Sequence, residues 1–411
     1  MSGPIGGRPT TRRGDLPLTG SPRSRDSAGA VLRAVLDHGP IARSSVARVT
    51  RLSAASVSGI VSSLLERGLM REVPEAAGTP GIGRPHVPLD IQVEGVAVIG
   101  VHVAVPRITV SLLDLRGRII AQIQEPHGRT DPASVIAMVA ARIATLRRRH
   151  PRRRILGLGL ASGGWVDSPN GTIVEHPPLG WRDVRIGAAL AEATGLPVRA
   201  DTNSRALLRA ELLFGEVAGR ARESAVHLFV GNVVDVAFAT GGAVHHGPRS
   251  ASGAVAHLPV EGCREACSCG RVGCLQAAVS ERVLVRRALA AGLIDRPVVS
   301  ALVQAAAGGS AGALELLRDR ARLVGRAAAL LLDLFDPEVL VVAEAGANQL
   351  PECLATLRAE VADWSSVEAD VGRVVHPSSF PGAVLAVAGG AVALDQVYAS
   401  PLGLGVRLRA S

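Results

Sequence analysis

Near Gly95 the spacing of apolar residues changes period. Upstream they recur three and four apart, as in Ala28, Val31, Leu32, Val35 and Leu36, the stripe of a helix with one buried face. Downstream they alternate or run continuously through Ala97 to Val103, Ile108 to Leu112 and Ile119 to Ile123, the pattern of strands. A helical period cannot be accommodated in a sheet, so the chain is expected to be a small helical unit followed by a larger α/β body.

The helical unit is legible in detail. Its first helix stops at Gly39-Pro40, a second spans Ser44 to Val49, and a third starts at an N-capping Ser53, buries Val57, Ile60, Val61, Leu64 and Leu65, and ends at Gly68. Met70 to Val73 and Val87 to Ile91 then pair as a hairpin around a loop holding Gly78, Pro80, Gly81, Gly83 and Pro85. Three helices with a tight turn, followed by a hairpin, predict a winged helix-turn-helix over residues 26–92. Its third helix would face double-stranded DNA with Ser53, Ala54, Ala55, Ser56, Ser58, Gly59 and Ser62, all small, so direct readout of bases should be modest. Gly59 costs a helix roughly 1 kcal/mol against Ala, and either close approach of DNA or close packing within the protein would account for it. Arg84, in Gly83-Arg84-Pro85, suits a narrow minor groove, the alternative being a solvated loop arginine. Residues 1–25 lack periodicity and carry five arginines, which reads as a disordered basic arm along phosphates or an inert tail.

Charge agrees with a polyanionic partner: the chain has a formal net charge of +9, carried entirely by arginine on the basic side. Aromatic residues make up only 2%, which argues against a protein that stacks single-stranded bases. No apolar run is long enough to cross a bilayer and the N-terminus lacks the apolar core of a signal peptide, so a cytoplasmic location is expected. In the body, Asp131-Pro132 opens a helix holding Val135, Ile136, Val139, Ile143 and Leu146. Ile155 to Leu160 is a buried strand leading to the turn Ser162-Gly163-Gly164. A similar scheme at Ala225 to Thr240 suggests two lobes around a cleft. The arginine-rich run Arg147 to Arg154 is either a solvated helix end or a further phosphate patch.

Three of the five cysteines cluster at Cys267, Cys269 and Cys274, and with His257 they supply three thiolates and an imidazole, a closed set for structural Zn²⁺. Cys263 is the substitute should His257 point elsewhere, and Cys353 reads as a core thiol; no structural disulfide is expected.

The motifs Leu-Ser-x-x-Ser-Val-Ser at 52–58, Leu-Glu-Arg-Gly-Leu at 65–69 and Gly-Arg-Pro at 83–85, with the His-x9-Cys-x-Cys-x4-Cys spacing from His257, resemble those of the ROK family of repressors and sugar kinases. The resemblance covers nearly all of the chain after residue 25. It implies an actin/hexokinase-like (ribonuclease H-like) body, with a small lobe at 95–202 plus 387–411 and a large lobe at 203–386 carrying the zinc loop. It also implies a homo-oligomer, dimer or tetramer, reading operator DNA, with a sugar or sugar derivative as effector.

Against the kinases of that family the chain departs at every nucleotide element. Where they have an Asp-x-Gly-Gly-Thr-type turn it has His102 to Arg107, with bulky Val105 and Pro106. The second phosphate loop, Gly231 to Asp235, has lost glycines and gained an Asp235 that would repel phosphate, and the adenosine turn reads Ala343-Glu344-Ala345. Asn203 stands at the catalytic-base position, where an amide cannot accept a proton. Ala254, Gln276 and Pro178 replace sugar-binding residues, leaving Ser162, Gly163, Thr202, Asn203, His257 and Gln276 as candidate effector contacts. The expected function is therefore a transcriptional regulator of carbohydrate-related genes, a repressor and not an enzyme; the alternative is an active sugar kinase with an accessory N-terminal domain.

Overall fold

The computed structural model describes residues 26–74, 87–104, 106–128, 130–367 and 370–404. Helices α1 (Ser27–His38), α2 (Arg43–Thr50) and α3 (Ala54–Glu66) form where the periodicity places them. Asp26 caps α1 by accepting from the Gly29 N–H at 2.6 Å, and Ser53 caps α3 by accepting from the Ser56 N–H at 3.1 Å. Arg51, in the left-handed region at φ 56°, makes the sharp turn between α2 and α3. Strands β1 (Met70–Glu72) and β2 (Leu89–Ile91) pair antiparallel with Met70 opposite Ile91. Val57, Val61 and Leu64 are buried, but Ile60 and Leu65, expected inside, are only half-buried at the edge of the apolar stripe. The arm at 1–25 and the wing loop at 75–86, Arg84 included, lie outside the described residues.

The body contains two five-stranded sheets. The first is built from β3 (Val96–Val103), β4 (Arg107–Leu113), β5 (Ile119–Pro126), β6 (Arg154–Ser162) and β10 (Val198–Thr202), in the order β10-β6-β3-β4-β5. Helix α4 (Pro132–Arg149) joins β5 to β6, and between β6 and β10 lie a small sheet of β7 (Trp165–Asp167), β8 (Thr172–His176) and β9 (Trp181–Val184) and helix α5 (Ile186–Thr194). Helices α6 (Asn203–Phe214) and α7 (Ala218–Ala221) lead to the second sheet, β11 (Ser224–Val230), β12 (Val234–Thr240), β13 (Ala243–Val244), β14 (Val339–Glu344) and β15 (Val375–Pro377), ordered β13-β12-β11-β14-β15. Its helices are α8 (Leu275–Val279), α9 (Glu281–Ala290), α10 (Val299–Ala307), α11 (Ala311–Phe335), α12 (Ala345–Gln349), α13 (Pro351–Trp364) and α14 (Val371–Val374). Each sheet joins an antiparallel hairpin to parallel strands, so the faint sequence repeat is a structural one. Strand β3 is buried along its whole length, which explains its unbroken apolar run.

The last helix, α15 (Val384–Ala399), lies on β3 and β6 and crosses α6. Here backbone meets backbone: a Cβ on Gly389 would stand 2.5 Å from both the N and O of Val101, so only glycine allows α15 to settle this deep. The helical unit is not a separate bead. Val31, Leu32, Val35, Val57 and Val61 share one apolar cluster with Val96, Leu113, Leu115, Leu394, Val397 and Tyr398 of the body. The arginine-rich run contributes to the same junction, because Arg153 donates to the Val93 carbonyl at 2.6 Å and Arg154 to the carbonyl of Arg67, while Arg147 donates to the Thr194 carbonyl at 3.0 Å. These three arginines bind main-chain carbonyls within the protein, while Arg148, Arg149 and Arg152 of the same run are exposed.

Candidate functional site

The first candidate surface is the start of α3. Ser53, Ala54, Ala55, Ser56, Ser58, Gly59 and Ser62 are all exposed, because the opposite face is held by Val57, Val61 and Leu64. A Cβ on Gly59 would meet nothing within 4 Å, so no packing in the described structure calls for glycine there. Of the two explanations, packing among the described residues does not account for it.

The second is the loop between β13 and α8. The ligand atoms of His257, Cys267, Cys269 and Cys274 lie within 4.8 Å of one another, with Cys267 Sγ 3.6 Å from His257 Nδ1 and Cys269 Sγ 3.7 Å from Cys274 Sγ. A tetrahedral ion with bonds of about 2.3 Å to sulfur has S···S edges near 3.8 Å, so the donor set fits Zn²⁺ in both chemistry and size. Gly270 and Gly273, at φ 86° and 81°, turn the chain between the thiols. Hydrogen bonds from Arg271 hold the Cys269 thiol down, to about 6. Cys263 lies outside the four, which removes the need for a substitute ligand.

The third is the cleft between the sheets, where the nucleotide elements expected to be degraded are occupied by the protein's own side chains. Glu344 is buried at the end of β14 and pairs with Arg320, which also donates to the carbonyls of Val279 at 2.7 Å and Val230 at 3.1 Å. Glu344 Oε2 in turn caps α12 by accepting from the Ala347 N–H at 2.6 Å. Asp235, read from sequence as a charge that would repel phosphate, accepts from the Ser204 hydroxyl at 2.6 Å, and burial lifts its carboxyl to about 6. Of the candidate effector contacts, Ser162 donates to the Val103 carbonyl at 3.3 Å, Thr202 caps α6 and Gln276 accepts from the Val234 N–H at 3.2 Å, so their polar atoms already have partners inside the protein. His257 belongs with the thiols. Asn203 keeps its place: its Oδ1 is buried without a partner, as is Nε2 of His102, a residue that sequence reasoning placed only in the lost phosphate turn.

Sequence reasoning also missed the network beneath. Asp201, Arg205 and Arg209 stand four apart on the β10–α6 junction; Asp201 pairs with both arginines, and Arg209 reaches Asp395 of α15 at 3.1 Å. Burial alone would raise the Asp201 carboxyl, but Arg209 and Arg205 hold it at about 2. Arg205 crosses the cleft, donating to Val166 O and Ser250 O at 3.2 Å each. Trp165 Nε1 likewise donates to Arg249 O at 2.8 Å, and a Cβ on Gly163 would sit 3.3 Å from both methyls of Val233. These contacts join the β6–β7 region to α6, to the turn before β12 and to the loop after β13.

Three buried histidines and the half-buried His246 favour the neutral form: desolvation lowers His102, with nearby His176 adding to it, to about 4, and lowers His176 and His246 to about 4 and His227 to about 3. Each is lowered from 6.5, so the unfolded chain takes up protons first and stability falls as the pH drops from 6.5 towards 4. The raised Asp235 acts oppositely below pH 6, offsetting part of this loss. The melting temperature is expected to fall between pH 7 and pH 5. His227, with neither ring nitrogen partnered in mid-strand, is the cleanest test. His227→Leu should raise stability by about 1–3 kcal/mol and flatten the acid limb, whereas a less stable variant with an unchanged pH profile would refute this account.

The ROK family profile matches residues 98–391. The transcriptional regulator Rv0485 of Mycobacterium tuberculosis is 33% identical over 392 residues, covering 92% of this chain and 87% of that protein. The DNA-binding transcriptional repressor Mlc of Escherichia coli is 27% identical over 77% of this chain and 80% of its own length. Among solved structures, a ROK family transcriptional regulator homologous to the E. coli protein superposes with a TM-score of 0.74 at 22% identity, covering 90% of this chain and 96% of that one. A ROK family glucokinase from Streptomyces griseus, crystallised with glucose and AMPPNP, gives 0.63 at 23% identity over 73% of this chain and 98% of that one. The glucokinase is thus spanned almost end to end by 73% of the chain, whereas the regulator's match extends to 90%. With the family profile spanning the paired sheets, the cleft and the histidine-cysteine loop, the chain belongs to the ROK family.

Proposed function

We propose that this protein is a DNA-binding transcriptional regulator, a repressor of carbohydrate-related genes acting in the cytoplasm as a homodimer or tetramer, and that its body holds a sugar-like effector and does not transfer phosphate. The observation that carries the reading is the start of α3: an exposed row of small side chains around a glycine against which nothing packs among the described residues. A Cβ there would separate the helix backbone from a groove wall. His257, Cys267, Cys269 and Cys274 would hold a structural Zn²⁺ that fixes the loop at the cleft rim. The buried Glu344–Arg320 pair and Asn203 at the base position speak against phosphoryl transfer.

Gly59→Ala separates folding from reading. It should stabilise the protein by about 1 kcal/mol, because alanine is the better helix former, and weaken binding to the gene's own upstream DNA about tenfold. Binding should also weaken steeply with salt, with Arg84→Ala lowering both affinity and salt slope. Equal DNA affinity for Gly59→Ala would remove the chief support for the reading. Turnover of ATP with any member of a sugar panel would replace it with the kinase alternative.

A further inference from the structure

Helix α1 packs on α15 and bonds both to the end of α6 and to Arg222, two residues before β11. The two helices that pass between the sheets are α6 and α15, and α15 is fixed to the first sheet by its glycine contacts. Displacement of the second lobe therefore shifts α6 and β11 relative to α15. The ends of α6 and α15 and the segment just before β11 converge on α1. Arg33 donates to Leu212 O near the end of α6 at 3.3 Å and lies 5.2 Å over the Tyr398 ring of α15, while Ser400 donates to Asp26 at 2.9 Å. From the second-lobe side, Arg222, just before β11, grips Asp37 with two bonds of 2.7 and 2.9 Å and also donates to Leu212 O at 2.8 Å.

Asp37 is an odd residue for its position. It sits in the last turn of α1, where the helix dipole disfavours a negative charge, so it does not serve the helix itself. Its partner supplies the reason. Because α1 and α3 share one apolar cluster, a push on Asp37 is carried to the exposed face of α3 without an intervening flexible linker.

We infer that α1 is the sensor that carries cleft opening and closing to the DNA-reading face, with the Arg222–Asp37 ion pair as the strut linking the second lobe to it. The inference rests on the DNA-binding reading above. A ligand in the cleft would then change operator affinity only to the extent that it prefers one lobe arrangement.

The test compares two full-length proteins with opposite biases. Gly163→Cys with Val233→Cys, joined by oxidation, holds the lobes together, since a side chain at Gly163 would touch Val233. Trp165→Ala removes the bond to Arg249 O and loosens them. Affinity for upstream DNA should differ between the two by about fivefold or more, within the usual range of coupling between sites. Adding Asp37→Asn, or in a second series Arg222→Gln, should bring the ratio below about twofold while both proteins melt within a few degrees of their parents. Equal affinities of the stapled and loosened proteins would overturn the inference while leaving DNA binding intact. A ratio unchanged by both strut substitutions would overturn the role of the ion pair. Failure of the unmodified protein to bind its upstream DNA at all would instead overturn the functional reading and this inference with it.

Discussion

Cys274→Ser protein is expected to purify without stoichiometric zinc and to melt well below its parent. The stretch from the end of β13 at Val244 to the start of α8 at Leu275 contains no helix or named strand and is held by two isolated bridges, Pro259 to Cys274 and Ala266 to Val272. Such a segment has little apolar burial to offset its chain entropy, so a metal tying His257 to Cys274 supplies what packing does not. Binding of structural zinc is worth about 10–16 kcal/mol in small fingers; if only about 3 kcal/mol reaches global stability here, the midpoint should fall ~6–12 °C. Calorimetry with metal analysis reads both effects. Cys263→Ser is the matched control and should retain both metal and melting temperature. Parent protein without zinc, or a Cys274→Ser variant that keeps it, would mean that the four donors gather for another reason.

A second large loss is expected from Glu344→Ala. The substitution leaves the buried Arg320 guanidinium without its directly paired carboxylate, with two carbonyl partners and only the nearby Glu281 as counter-charge, which should cost about 3 kcal/mol in urea unfolding. Glu344→Gln should cost less, as an amide can still accept from Arg320. Replacing the pair together, Glu344→Leu with Arg320→Met, should restore much of the stability, since two uncharged residues need no compensation. A Glu344→Ala protein within about 1 kcal/mol of its parent would show that water reaches Arg320, and that the floor of the cleft is more open than its burial suggests.

What could be read from the sequence was what depends on neighbours along the chain. Helices α1 and α3 were legible because their apolar residues repeat at the helical period, and α3 also because Ser53 caps it. The four metal donors were legible because a tight loop forces a fixed spacing. Short strands such as β7, three residues long, gave no period to detect. The Asp201–Arg205–Arg209 network was missed for a different reason: arginines four apart on a helix look like a solvated face, and it is partners distant in sequence, Val166, Ser250 and Asp395, that surround them. The four-residue spacing from Asp201 was the available signal. The hydrogen bonds of Ser162, Thr202 and Gln276 were likewise invisible, because each includes a backbone partner, which carries no mark in a sequence.

The single apolar cluster shared by the helical unit and the body bears on how such a protein can change its target. Exchanging the whole reading head with that of a relative would cut through a packed interior, and each foreign half would have to be refitted to the other. The exposed positions of α3 carry no such constraint, since Ala54, Ala55, Ser58 and Ser62 point away from that interior. New operator preferences in this lineage should therefore arise by piecemeal replacement on one helix face, and a laboratory effort to retarget the protein would do better to randomise those positions than to graft domains.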